Sequence, residues 1–181
     1  MTPDAPFSYP FDLSSLSERG GEVSFEIPAA AREAIAVLFE IDGIDAVSAV
    51  LRLARESTNE YVVEGSFRAN VLQTCIVTLE PVRSSLSGEF TRRYRTVPQS
   101  RLRKIASDLE MVAGDDEIET LKGSSLDLAV PVLEELSLAI DPYPRAPGAE
   151  FIGGGDDEPQ EENPFAVLQK LKGGGKPPET T

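Results

Sequence analysis

Apolar and polar positions alternate with a period of two along much of the N-terminal half of the chain. The places where that period breaks mark the other elements. Glu22-Val23-Ser24-Phe25-Glu26-Ile27 is the first clean alternation and predicts a short strand, because successive strand side chains point to opposite faces. Upstream of it Phe7, Tyr9 and Phe11 alternate before Leu13 and Leu16, which predicts an extended arm packed along an edge. Pro28 ends the strand and stands near the first position of a helix from Ala29 to Glu40. Ala31, Ile35, Leu38 and Phe39 share one face of that helix, and Gly43 follows its end as a stop.

From Ile44 the period of two returns. Val47, Ala49, Leu51 and Leu53 share one side of a predicted strand, with Ser48 and Arg52 on the other. Ser57-Thr58-Asn59-Glu60 predicts a turn. Beyond it Tyr61, Val63, Gly65, Phe67, Ala69 and Val71 alternate with Val62, Glu64, Ser66, Arg68 and Asn70, a long strand. Leu72 to Leu79 continues the β pattern, Glu80-Pro81 predicts a break, and Leu86, Gly88, Phe90, Arg92 and Tyr94 alternate again. Strands that follow one another through short links predict a mostly antiparallel sheet.

Residues 108–125 are rich in acid, Gly and Ser and predict a connector. In the helix that follows, Asp127 as N-cap puts Leu128 first and Pro131 fourth, in the opening turn where a missing N–H costs least. Val130, Leu133, Leu136, Leu138 and Ile140 form its apolar face, and Asp141-Pro142-Tyr143-Pro144 stops it. The expected fold is therefore α+β over residues 1–145: a mostly antiparallel sheet with two packed helices. Past Arg145 the chain turns to Gly, Pro and acid, a composition that buries too little apolar area to offset chain entropy. A disordered acidic linker over 146–162 and a disordered end over 173–181 are expected. Between them Asn163 as cap, Pro164 at the first helical position, and Phe165, Leu168 and Leu171 on one face predict a short docking helix over 163–172.

Composition shifts the question from fold to function. The 181 residues include 31 acidic and 17 basic side chains, one cysteine and no histidine, for a net charge of −14. Without histidine the chain lacks the commonest general base and metal ligand. A single cysteine forms no internal disulfide, and Cys75 inside a β pattern reads as a small buried hydrophobe rather than a nucleophile with a base beside it. Negative charge repels phosphate backbones and attracts basic partners over about 8 Å at physiological salt. No apolar run approaches the ~18 residues that span a bilayer. The start, Met1-Thr2-Pro3-Asp4-Ala5-Pro6, has neither the basic nor the apolar region of a secretion signal. The expectation is a cytoplasmic protein with no membrane role, no cofactor and no small-molecule substrate.

The charge is unevenly spread. Between Arg83 and Lys104, Arg83, Arg92, Arg93, Arg95, Arg101, Arg103 and Lys104 stand against Glu89 alone, seven cations to one carboxylate and a local charge of +6. Such a stripe on a sheet rim could touch RNA phosphates. The plainer reading pairs these cations with the acidic stretches 108–119 and 150–162, since surface charge runs are usually solvated or paired and only Tyr94 interleaves an aromatic ring. Asp115, Asp116, Glu117 and Glu119 lack the ligand spacing of a calcium loop, and Gly153-Gly154-Gly155 lacks the Lys-Ser/Thr of a phosphate cradle. Glu134 and Glu135 are adjacent on a helix and point in different directions, so they make no catalytic dyad.

Three ordered stretches together resemble the bacterial YceD-like family, named for large ribosomal RNA subunit accumulation. They are Cys75-Ile76-Val77-Thr78-Leu79-Glu80-Pro81-Val82 with the Arg-rich strand after it, Leu126-Asp127-Leu128 leading to Glu134-Glu135-Leu136-Ser137-Leu138-Ala139-Ile140-Asp141-Pro142, and Asn163-Pro164-Phe165-Ala166-Val167-Leu168 with Lys170-Leu171-Lys172. The resemblance implies a non-enzymatic factor needed for normal large-subunit rRNA levels and linked to a small basic zinc-ribbon ribosomal protein. Many relatives look like Cys-x-x-Cys where this chain has Cys75 and Thr78, so a metal site is not expected here. The functional expectation is a ribosome-biogenesis factor that binds a basic large-subunit ribosomal protein, with rRNA as a further contact. Its alternative is an acidic adaptor or holdase for another basic protein.

Overall fold

The computed structural model describes residues 6–97 and 118–150. The chain divides into two compact units, residues 1–149 and 150–181, and every described strand and helix belongs to the first. Those elements are β1 (Pro10–Asp12), β2 (Gly21–Glu26), α1 (Ala29–Leu38), β3 (Gly43–Arg55), β4 (Glu60–Thr74), β5 (Pro81–Val97), β6 (Ile118–Lys122), β7 (Ser125–Asp127) and α2 (Ala129–Ala139), with a single 3-10 turn at Leu13–Ser15. The predicted acidic linker beyond residue 150, the docking helix at 163–172 and the end at 173–181 lie outside the described residues.

β2 to β6 form a five-stranded sheet in sequence order, antiparallel except for the parallel pair β5–β6. The α+β expectation holds. Register carries the period-two pattern from strand to strand: Leu53 faces Val63, Leu51 faces Gly65, Ala49 faces Phe67 and Val47 faces Ala69, and all eight are buried. Each Val, Leu or Phe side chain taken from water here contributes roughly 1.5–3 kcal/mol. A slip of one residue would send the whole set to the opposite face, so burial of one face is what pins the register. At Asp45 the β3–β4 pairing shifts, with Ile44 opposite Val71 and Ala46 opposite Asn70, which leaves the Asp45 side chain exposed at the bulge.

Both helices join the core on the same face of the sheet, α1 against β3 and α2 against β4 and β5. On α1 the buried positions are Ala31, Ile35 and Ala36, whereas Leu38, predicted to face inward, is exposed in the last turn. On α2 they are Ala129, Pro131, Val132, Leu133 and Leu136. Val130 and Leu138, predicted on the apolar face, are exposed, because the stripe that meets the sheet runs 129, 132, 133, 136 at i, i+3, i+4, i+7. Leu128 already has helical torsions, and the Asp127 carboxylate accepts from the Ala129 N–H at 3.0 Å, which is the capping role expected of it.

Two stretches depart from expectation. The β pattern expected over Leu72–Leu79 holds only to Thr74, where β4 ends, and Cys75–Glu80 forms a tight link into β5. The predicted connector at 108–125 contains strands in its described part. β6 pairs through its backbone with Arg93–Val97, and β7 pairs antiparallel with β1. The N-terminal arm is extended, as expected. β1 lies against β7, Tyr9 donates its N–H to Asp127 at 2.8 Å, and the Tyr9 and Phe7 rings lie 4.8 Å and 5.7 Å from the ring of Phe25.

Candidate nucleic-acid interface and the Cys75 turn

Parity along β5 separates the predicted arginines into two groups. Residue 92 shares a face with Phe90 and Tyr94, so Arg92 points toward α2. There its Nη2 meets Glu135 Oε1 at 2.6 Å and Glu134 Oε2 at 3.8 Å. Arg83, Arg93 and Arg95 have the opposite parity and stand on the face of the sheet that carries no helix among the described residues. On that face Arg95 Nη2 and Nε meet Glu60 Oε1 at 2.9 and 3.0 Å, Arg93 Nε meets Glu56 Oε2 at 3.5 Å, and Arg83 pairs with Asp45.

Among the described residues the carboxylate partners come from β3, β4 and the turn between them, and from α2, while Arg101, Arg103 and Lys104 lie outside the described residues. These pairs are solvent-exposed or partly so, and pairs of that kind are worth about 0–1 kcal/mol. Arg68 was absent from the predicted stripe, yet it is exposed on the same open face, opposite Ser87 of β5, and makes no ion pair among the described residues. Strand parity is the signal that finds it: Arg68 is polar-side in β4 as Arg83 and Arg93 are in β5.

The described sheet face also holds acid. A trough of about 550 Å³ between β3, β4 and β5 is lined by Val50, Arg52, Glu64, Ser66, Glu89 and Thr91. On the helix side Tyr94 is buried, and burial, with Glu119 adding to it, pushes its phenol well above the usual range.

The link from β4 to β5 is closed by backbone bonds: Cys75 N–H donates to Glu80 O at 2.8 Å, and Leu79 N–H donates to Cys75 O at 3.0 Å. Inside it the buried Cys75 Sγ accepts from the N–H groups of Val77 at 3.4 Å, Thr78 at 3.3 Å and Ala146 at 3.3 Å. The Thr78 side chain, then these backbone donors, favour the thiolate over the desolvation that opposes it and lower the Cys75 pKa to about 6. A zinc ion does not fit the residues present. Structural zinc takes about four N or S donors, Thr78 stands three residues after Cys75, and no group of three Cys, His, Asp or Glu side chains converges among the described residues.

These parts define a small α+β domain, with two helices on one face of a mostly antiparallel sheet and arginine–carboxylate pairs spread over the other. The profile of the large ribosomal RNA subunit accumulation protein YceD matches residues 63–172, more than half of the chain, and the chain belongs to that family. Membership carries a role in the accumulation of large-subunit ribosomal RNA. The matched span takes in the Cys75 turn, the β5 arginines and α2. No curated protein and no solved structure matches the chain.

Proposed function

We propose that this protein is a non-enzymatic factor of large-subunit assembly, working in the cytoplasm, that holds a basic ribosomal protein of the zinc-ribbon type. The observation that carries this reading is the pairing of family membership with a net charge of −14. Family membership supports a role in large-subunit rRNA accumulation, and the charge favours a cationic companion over free RNA. Ribosomal RNA is a second contact, made through Arg83, Arg93 and Arg95 on the face of the sheet that carries no helix among the described residues.

The test is depletion of the protein, with precursor and mature large-subunit rRNA measured alongside sedimentation of the protein with precursor particles. Lowered mature rRNA and co-sedimentation are expected, and unchanged rRNA levels would count decisively against the reading. Affinity capture with mass spectrometry separates it from a general acidic adaptor or holdase. Large-subunit proteins dominate the bound set in the first case and unrelated basic proteins in the second.

A further inference from the structure

The turn that joins β4 to β5 carries a combination the fold itself does not need. Leu79 has a φ of 60°, in the left-handed region that L side chains disfavour, and the residue is 76% exposed. A glycine would close the same turn without strain. A residue held in a disfavoured conformation while gaining no burial points to a contact made outside the chain.

Leu79 is not alone. Ile76, 47% exposed, precedes it in the same turn, and Tyr143, 69% exposed, is held at the same end of the domain. Three bonds tie the two segments together: Gln73 Nε2 to Asp141 O at 2.8 Å, Ile76 N to Pro144 O at 3.0 Å, and Ala146 N to Cys75 Sγ at 3.3 Å. The charges beside this apolar group are mainly negative. Glu80 follows Leu79, Asp141 lies two residues before Tyr143, and Asp42 reaches the same end, where its Oδ2 accepts from Thr74 Oγ1 at 2.8 Å. Arg145 is the one cation of the two segments 74–80 and 141–146.

We propose that Ile76, Leu79 and Tyr143 form a docking surface for a basic protein segment that carries aliphatic side chains between its cations. Apolar anchors with carboxylates beside them match such a segment in both respects, the anchors supplying affinity and the charges orientation. This inference rests on the basic-partner reading above and adds to it where on the domain the partner sits.

The test immobilises the full-length chain and uses the total protein of purified, nuclease-treated large ribosomal subunits as the probe. Basic proteins captured by the wild type, Leu79→Gly, Tyr143→Ala and Glu80→Lys are then quantified. Leu79→Gly is expected to keep or raise the thermal midpoint while capture falls about tenfold, a split that a merely structural role would not produce. Glu80→Lys is expected to weaken capture most at low salt. If the wild type captures basic subunit proteins and the variants do so equally, the surface is wrong and the functional reading stands. If the wild type captures none, the functional reading fails, and this surface with it. Self-association abolished in Leu79→Gly, or tighter capture once residues 150–181 are removed, would assign the surface to a second copy or to the chain's own C-terminal residues, and either result overturns the inference.

Discussion

The ring of Phe90 lies so close over Gly65 on the neighbouring strand that a Cβ at position 65 would sit 2.2 Å from its Cζ. One step along the ladder the relation is reversed, with a Cβ at Gly88 only 2.6 Å from Cε1 of Phe67. Each ring thus fills the space its partner's missing side chain leaves, in the middle of the buried face. Gly65→Ala and Gly88→Ala are each expected to cost about 1–3 kcal/mol, the usual penalty for overpacking a core. Thermal and urea denaturation would read this as lowered midpoints. In Phe90→Leu, which removes the ring, Gly65→Ala should cost clearly less, and equal costs in both backgrounds would refute the steric account.

The Cys75 thiolate makes stability depend on pH in a particular direction. Its folded pKa of about 6 lies below the ordinary thiol value of 9.0, so the unfolded state binds more protons between those limits. Its stabilisation is fully present above the unfolded pKa and is lost as pH falls through about 6. The difference in melting temperature between wild type and Cys75→Ala should therefore widen from pH 6 to pH 9. A difference that stays flat across this range, or a thiolate ultraviolet band that titrates near the ordinary value, would show that the N–H donors do not hold an anion there.

β2 to β5 were readable from sequence because one face of each is buried, which forces the alternation of Val47, Ala49, Leu51 and Leu53 and of its counterparts on β4. β6 was not, since Ile118-Glu119-Thr120-Leu121-Lys122 lies at the sheet edge, in acidic surroundings, and is held by backbone pairing to Arg93–Val97. The Cys75 turn was hidden by its own β-branched residues, Ile76 and Val77. It also lacks the glycine or asparagine that normally announces a left-handed position, which Leu79 takes here. In the arginine stripe, proximity in sequence outweighed parity. Arg92 and Arg93 are neighbours in the chain yet serve opposite faces of the sheet.

That division makes the arginines separable by experiment. Arg92→Gln removes a partly buried tie to Glu135 on α2 and should lower stability by up to about 1 kcal/mol, leaving any RNA affinity unchanged. Arg93→Gln with Arg95→Gln should do the reverse. RNA binding weakens, and the slope of log affinity against log salt falls by about 0.7–0.9 for each phosphate that is no longer neutralised. Filter binding of a large-subunit rRNA fragment over a salt series, beside denaturation curves, checks both. An equal drop in RNA affinity in Arg92→Gln, or none in the double variant, would return all three to a purely structural role.

The C-terminal island should be dispensable for folding and needed for partner binding. Every buried apolar side chain among the described residues lies between Leu13 and Pro144, inside the 1–145 span expected to fold. Phe165, Leu168 and Leu171 sit on a predicted helix of about ten residues, a length that is marginal in water unless its apolar face finds a surface. Removal of residues 160–181 should therefore shift stability by no more than about 0.5 kcal/mol while reducing co-sedimentation with large-subunit precursors. Phe165→Ser in the full-length chain should reproduce the second effect alone. A large drop in thermal midpoint on truncation would place those three side chains in the core instead, and undiminished co-sedimentation would leave Asn163-Pro164-Phe165 without a docking role.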